Sequence, residues 1–208
     1  KYNNTFIEPI LEFNAWSPDG GNPPEHLTII PFTRMLAGPI DYTPGIFDIK
    51  FDKYKKENQV NTTLAHQLAL YVVIYSPLQM AADLPENYEG HPAFQFIRDV
   101  GVDWDTSNVL NGEIGDFITI ARKERNTNKW FLGSITDENE RKVDISLNFL
   151  DDGKKYSAIL YQDAEDSHWD KNPTAYTILS KTVDRTDKLI LKLAPGGGTA
   201  ISFVPIIK

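Results

Sequence analysis

The second half of the chain alternates apolar and polar residues with a period of two. Val143, Ile145 and Leu147 are separated by Asp144 and Ser146. Further strand-like runs occupy residues 117–121, 130–135, 156–161, 175–179, 189–193 and 200–204. Clusters of Asn, Asp, Gly and Pro lie between the runs, at 126–128, 151–153, 184–187 and 195–198. Short period-two strands separated by turns predict an antiparallel β-sandwich.

The first half of the chain has the longer period of a helix. Apolar residues recur at near-helical spacing from Leu64 to Tyr75, and Thr63 supplies a cap for the start of this helix. A second helix is predicted from Phe94 to Val100. A short helix or turn is predicted over 27–36, and apolar runs at 10–15, 35–40 and 78–82 predict strands. Strands that alternate with helices indicate a parallel sheet or a barrel.

The chain therefore divides into an α/β segment and an all-β segment, with a boundary near residues 102–106. Three strands cannot close a barrel of eight. The α/β segment is then either the tail of a (β/α)8 barrel or a smaller open sheet, and the residue pattern leaves both open.

Composition narrows the class of partner more than the class of fold. The 208 residues carry a formal net charge of −8, and an acidic surface does not favour nucleic acid or an anionic membrane as partner. No apolar run reaches the ~18 residues of a membrane helix. The chain has no Cys, so it has no disulfide framework or thiol chemistry. A neutral ligand such as a sugar fits this charge, although many other ligands do too.

Residues 12–45 are dense in Pro, Gly, Asn and aromatic residues, with acids among apolar neighbours. Irregular backbone of this kind, held against a core, is a common mount for binding loops. Four motifs occur there in order, namely NAWS (14–17), NPPEH (22–26), PFTRMLAGP (31–39) and DYTPG (41–45). Their order and spacing resemble the late catalytic-domain segment of glycoside hydrolase family 97, the bacterial α-glucosidases and α-galactosidases. The second half resembles the all-β C-terminal domain of the same family, notably at NGEIGD (111–116).

The resemblance implies a fold and a function for the complete protein. Residues 1–103 are expected to be the C-terminal portion of a (β/α)8 glycosidase barrel, and residues 104–208 the antiparallel β-sandwich domain. The implied reaction is hydrolysis of α-linked glucosides or galactosides in an oligosaccharide substrate. The implied location is the bacterial periplasm or the exterior of the cell.

The resemblance also implies partners that this chain lacks. A calcium ion is expected, with its ligands mostly outside this chain. The segment around Glu8 departs from the acidic pattern of the family, so no metal ligand is assigned. The N-terminal remainder of the enzyme is expected to complete the barrel and to supply the second catalytic carboxylate. The 208-residue chain is therefore expected to be inactive alone.

Glu12 is the candidate catalytic residue, because glycoside hydrolysis needs two carboxyl groups flanking the scissile bond. It lies between Leu11 and Phe13, and an apolar setting raises the pKa of a carboxyl group so that it holds a proton near neutrality. From the residues alone, a strand residue that faces solvent or pairs with Arg34 is the commoner interpretation. The resemblance places Glu12 at the general acid of the family.

Three further residues are candidates for substrate binding, each with an ordinary alternative. Asp41 follows a predicted strand end, where it either lines a pocket or bonds its own turn. Trp16 either stacks against a sugar or belongs to the core. Glu25 either belongs to the site or begins a helix as an acid favoured by the dipole. Asp83 has the same two interpretations as Asp41, with weaker support.

A second class of function stays open from the sequence. The chain, or its sandwich alone, is then a non-catalytic carbohydrate-binding or architectural module. A long upstream region with more strands and acids in the natural gene product favours the enzyme, whereas a natural start at Lys1 favours the module.

Overall fold

The computed structural model describes residues 22–40, 42–53 and 56–206. The helices of this part are α1 (Glu25–Ile29), α2 (Leu64–Val73), α3 (Pro85–Tyr88) and α4 (Phe94–Asp99), with 3₁₀ turns at Ile30–Phe32 and Arg34–Ala37. Helix α2 begins at the predicted cap, because the backbone N–H of His66 donates to Thr63 Oγ1 at 3.2 Å. All ten residues of α2 are buried. Among the described helices, none is long and apolar enough to cross a membrane.

Eight strands follow the helices in the described chain. They are β1 (Trp104–Glu113), β2 (Phe117–Glu124), β3 (Trp130–Thr136), β4 (Arg141–Ser146), β5 (Tyr156–Asp163), β6 (Tyr176–Val183), β7 (Lys188–Leu193) and β8 (Gly198–Pro205). Six of them form one sheet in the order β1-β2-β3-β8-β5-β6, and β4 pairs with β7 in a second sheet. Every pair is antiparallel. The predicted antiparallel β-sandwich is confirmed.

The six-stranded sheet is packed on both faces. Leu132 and Ile201 belong to the core shared with β4 and β7. Their neighbours Phe131 and Ala200 point the other way, as strand residues do, and belong to the core that contains the apolar side chains of α2. The helical part and the sandwich therefore share a core, and the division between residues 103 and 104 stays a prediction.

Helix α2 approaches the sheet closely because β3 carries a glycine beneath it. A Cβ atom on Gly133 would lie 2.5 Å from the carbonyl oxygen of Ala69 and 3.0 Å from Cβ of Val72. Only the missing side chain leaves room for the helix backbone at this distance. The close approach buries α2 between the sheet and the segments that precede it.

Two of the strands predicted from apolar runs are wrong. Residues 35–40 begin in the 3₁₀ turn Arg34–Ala37 and continue through Gly38, whose φ is +122°. Residues 78–82 have no regular secondary structure and no ladder partner in the described chain. Leu78 and Met80 of the second run are exposed. An apolar run becomes a strand only beside a pairing partner, and the described residues provide none here. The run 10–15 lies outside the described residues.

Candidate functional site

The structure describes only one of the four candidate site residues. Glu12, Trp16 and Asp41 lie outside the described residues, as does Glu8, so their predicted roles stay predictions. Glu25 is half-buried at the start of α1. This position agrees with the interpretation of Glu25 as an acid that begins a helix. The role of Glu25 in substrate binding stays a prediction.

The backbone that follows Asp41 is held by a buried amide of α2. Gln67 Oε1 accepts hydrogen bonds from the backbone N–H groups of Gly45 at 2.9 Å and Ile46 at 3.3 Å. Gln67 Nε2 donates to Thr62 Oγ1 at 2.9 Å, which fixes the orientation of the amide. A buried backbone group needs such a partner, so Gln67 holds this stretch in one conformation.

Asp83 holds the next two residues of the same stretch. Its Oδ2 accepts hydrogen bonds from the backbone N–H groups of Phe47 and Asp48, each at 2.7 Å. Its Oδ1 accepts from Leu84 N–H at 2.8 Å and from Asn87 Nδ2 at 2.6 Å. The carboxylate of Asp83 therefore binds backbone and a neighbouring amide, which is the turn-bonding interpretation of this residue.

Two tyrosines complete the support of the stretch. Tyr88 Oη donates to Gly45 O at 2.7 Å and accepts from Asp83 N–H at 2.8 Å. Tyr71 Oη lies 3.1 Å from Pro44 O and 2.8 Å from Met80 O. Gly45 has a φ of +94°, and a Cβ there would clash with Tyr71 Oη. Glycine is thus required at this position, and residues 42–48 form a rigid loop after Asp41.

The N-terminal end of α2 is joined to the sandwich by a buried carboxylate. Asp163 Oδ1 accepts a hydrogen bond from Thr63 Oγ1 at 2.6 Å. Its Oδ2 accepts from the backbone N–H groups of Ala194 at 2.9 Å and Gly198 at 2.8 Å. Burial raises the pKa of Asp163 to about 7, although these three hydrogen bonds act to lower it.

The turn 195–198 packs closely against Asp163 and the start of α2 because its last three residues are glycine. A Cβ on Gly197 would clash with Asp163 Oδ2, and one on Gly198 would lie 2.7 Å from Cα of His66. The Nδ1–H of His66 donates to Gly196 O at 3.1 Å. Burial lowers the pKa of His66 to about 4, so its ring is neutral at physiological pH. The glycine triplet 196–198, which was predicted as a turn, therefore also packs against the first turn of α2.

The C-terminal end of α2 is held by a buried cation from β2. Arg122 Nε donates to Val72 O at 2.6 Å, and Arg122 Nη2 donates to Val73 O at 3.4 Å. Nη1 donates to Ser107 Oγ at 2.6 Å. A cation at the C-terminus and a carboxylate at the N-terminus both complement the helix dipole. The sandwich therefore fixes α2 at both ends, and α2 fixes the loop 42–48.

A cleft of about 960 Å³ lies beside α3 and α4. Its aromatic wall is already occupied, because Phe94 stacks on Tyr88 with ring centroids 4.6 Å apart and has Arg98 5.2 Å above it. Asp83 in its wall is saturated by the hydrogen bonds given above. We assign no ligand to this cleft.

A similar arrangement of sheet and helix occurs in a solved β-arabinopyranosidase. The β-arabinopyranosidase superposes with a TM-score of 0.72 over 92% of this chain at 21% identity, a likeness that concerns the fold alone. Residues 103–204 match the family described as glycosyl-hydrolase 97 C-terminal, oligomerisation. The class defined here is thus the C-terminal part of a glycoside hydrolase.

Two sets of relatives identify the family. A retaining α-galactosidase of Bacteroides thetaiotaomicron is 36% identical over 196 residues, which are 92% of this chain and 29% of that protein. A glycoside hydrolase family 97 enzyme from Pseudoalteromonas sp. strain K8 is 54% identical, with a TM-score of 0.90 over 95% of this chain and 31% of that one. The chain belongs to glycoside hydrolase family 97. It spans less than a third of the length of these relatives.

The described residues do not fit a calcium site by themselves. They contain no group of three or more His, Asp or Glu side chains placed to hold a metal ion. The calcium expected from the family is therefore not assigned to any residue of the described chain.

Proposed function

We propose that the complete protein hydrolyses terminal α-linked glucosyl or galactosyl residues of oligosaccharides. The observation that carries the proposal is the likeness to the Pseudoalteromonas enzyme, at 54% identity and a TM-score of 0.90. Structures of that enzyme contain acarbose, and those of a variant contain panose. The curated relative from Bacteroides is named a retaining α-galactosidase, so both sugars remain within the proposal.

In this proposal residues 1–103 are the tail of the catalytic barrel. The chain before α2 passes it in the antiparallel sense, since Ile40 N–H donates to Tyr75 O at 3.1 Å and Gly45 N–H donates to Gln67 Oε1 at 2.9 Å. A helix that runs antiparallel to the segment before it is found in the repeating unit of a (β/α)8 barrel. The missing strands of the sheet then come from the N-terminal remainder of the protein.

The catalytic roles follow from this placement. Glu12 is the general acid that protonates the departing oxygen, and its partner carboxylate comes from upstream of this chain. Asp41, which precedes the loop 42–48, binds a sugar hydroxyl. Trp16 supplies an apolar face to the sugar, and Glu25 borders the site. Calcium bound by upstream residues, and a periplasmic or secreted location, complete the proposal.

The sandwich has a second role in the same proposal, which is to join copies of the enzyme. The family description of residues 103–204 names oligomerisation. Edge strand β6 supports this role, because Ile178 and Leu179, which lie on opposite faces of the strand, are 40% and 42% exposed. An apolar strand edge of this kind is a ready surface for pairing.

The experiment that tests the proposed function is a substrate panel. The complete protein is assayed with the nitrophenyl α-galactoside, α-glucoside and their β-anomers. We expect hydrolysis of at least one α-anomer and none of the β-anomers, and the faster α-anomer identifies the sugar. Hydrolysis of β-anomers only, or of none of the four, would contradict the proposal.

A further inference from the structure

The strand edges of the sandwich differ in how well they are protected from pairing with another chain. In the second sheet, β4 and β7 carry Lys142 and Lys192 on their exposed faces. Strand β1, at one edge of the six-stranded sheet, pairs with β2 in a register that is interrupted twice. Charged side chains and bulges are common means of keeping an edge unpaired. These three strands are therefore protected.

Strand β6, at the other edge of the six-stranded sheet, lacks both kinds of protection. It pairs with β5 in an unbroken register from Tyr176 to Val183, and its single charged residue is Lys181. Residues 177–182 are all exposed. The outer backbone N–H and C=O groups of β6 have no strand partner in the described chain. An edge of this kind is a ready template for another strand.

Both cores of the molecule reach the solvent at β6. Ile178 lies opposite Tyr161, which belongs to the core shared with α2. Leu179 lies opposite Leu160, which belongs to the core shared with β4 and β7. The two β6 side chains are nevertheless 40% and 42% exposed. A strand presents alternate residues to the two faces of its sheet, so one further strand beside β6 would cover Ile178 and Leu179 together.

We infer that this further strand is β6 of a second copy, which runs antiparallel to the first about a two-fold axis at Leu179. The inference rests on the proposed role of the sandwich in joining copies, and it names the surface and the symmetry of that contact. A second copy is the expected occupant because the family description of residues 103–204 names oligomerisation. The two six-stranded sheets then form one continuous sheet, with α2 of both copies on the same face.

Strand β6 is complementary to itself in this arrangement. A two-fold contact uses the same patch on both copies, so Leu179 meets Leu179 of the second copy. Ile178 then lies opposite Ser180 of the second copy, and Lys181 lies opposite Thr177 of the second copy. Like charges directly opposite each other destabilise a strand pair. The position of the axis avoids this, because the two lysines lie on opposite sides of it.

The test is the oligomeric state of the complete protein, measured by sedimentation velocity over a range of concentrations. Leu179→Lys and Ile178→Lys each place a charge on one face of β6, at side chains that are already exposed. We expect each variant to raise the dissociation constant of the dimer at least about 100-fold. Two-fold symmetry counts each lost apolar contact twice, and each contact is worth about tenfold. Val109→Lys, on edge strand β1 and 63% exposed, is the matched control and should leave the constant unchanged.

Hydrogen exchange tests the strand pairing itself. Pairing engages the outer N–H groups of β6, so amides of Tyr176–Val183 should exchange more slowly in the wild-type dimer than in monomeric Leu179→Lys. Equal exchange in the two would overturn the pairing. Thermal melting of each variant shows that a loss of dimer is not a loss of fold.

Each outcome of the sedimentation experiment decides the inference. If both β6 variants stay as dimeric as wild type, or if Val109→Lys dissociates the dimer to the same extent, β6 is not the contact, while the joining role of the sandwich stands. A wild-type protein that is monomeric at every concentration would overturn both the inference and that role. The substrate panel decides the hydrolytic activity independently of these results.

Discussion

In the complete enzyme, Glu12→Gln should lower turnover on substrates with poor leaving groups by about 10²–10⁴-fold, the usual contribution of general acid catalysis. The loss should be much smaller with dinitrophenyl glycosides, whose leaving group departs as a stable anion. A general acid matters in proportion to the basicity of the oxygen that it protonates. Glutamine keeps the size of the side chain, so KM should change little. The measurement is kcat for wild type and variant over a series of aryl glycosides.

The same series separates the other roles that Glu12 could have. A solvent-facing Glu12 would show no loss on any substrate. A catalytic base or a metal ligand would lose activity equally on all of them, and that result would move the general acid elsewhere. Glu25→Gln is the matched comparison, because Glu25 is the next glutamate of the stretch and the first residue to test in that case.

Asp163→Ala should destabilise the joint between α2 and the sandwich by at least about 3 kcal/mol. The change leaves the hydroxyl of Thr63 and the N–H groups of Ala194 and Gly198 without their acceptor, and each buried unsatisfied group costs about 1–3 kcal/mol. The measurement is urea unfolding of the complete protein, with hydrogen exchange of the amides of Leu64–Val73 as the local readout. Asp144→Ala, an exposed aspartate of β4, is the control and should cost less than about 0.5 kcal/mol.

Asp163→Asn should be tolerated much better and should change the pH dependence of stability. Its amide oxygen can accept from the backbone N–H groups of Ala194 and Gly198 as Asp163 Oδ2 does. Its amide NH₂ group can donate to Thr63 Oγ1, which reverses the hydrogen bond that Thr63 donates to Asp163. The pKa of Asp163 is raised from 3.8 to about 7 in the folded chain. The stability that its proton provides is present below pH 3.8 and is lost as pH rises to about 7. Wild type should lose stability relative to Asp163→Asn over this range, and parallel pH profiles would contradict the account.

Strands β4 and β7 were predictable from their alternating pattern because each has one buried face and one exposed face. Strands β3 and β8, which are buried on both faces, were predictable as short apolar runs. Each of the strands β2 to β8 overlaps an apolar run that was identified from the sequence. Helices α2 and α4 occur where the sequence has helical spacing of apolar residues. Strand β1 was missed because it is mostly polar. Only Trp104, Val109 and Leu110 are apolar among its ten residues, and as an edge strand it pairs with β2 alone. Pairing with a neighbour, rather than its own composition, makes it a strand.

The contacts that fix the loop 42–48 and α2 could not be read from the sequence. Thr63 and Asp163 are 100 residues apart, and Arg122 lies 50 residues from Val72. Such pairs depend on how the helix packs on the sheet, and no local pattern encodes them. The glycine triplet at 196–198 was identified as a turn from its neighbours, but its fit against α2 follows only from the fold.

The candidate site was predicted from motifs rather than from periodicity. The order of the four motifs gave the family, which the comparisons confirm. The roles of Glu12, Trp16 and Asp41 depend on side chains outside the described residues. The structure adds the physical reason why the last two residues of DYTPG are held in place, since Gln67, Tyr71 and Tyr88 form hydrogen bonds to the backbone of Pro44 and Gly45.

The central claim is that this chain is the C-terminal part of an α-glycoside hydrolase whose active site is completed by upstream residues. The most direct measurement is the hydrolysis of aryl α-galactosides and α-glucosides by the complete protein and, side by side, by the 208-residue chain. We expect turnover of an α-anomer by the complete protein and none by the chain alone, because the second carboxylate is missing from it. Equal turnover by both would contradict the claim by placing the whole catalytic pair within this chain, and absence of turnover by the complete protein would contradict the activity itself.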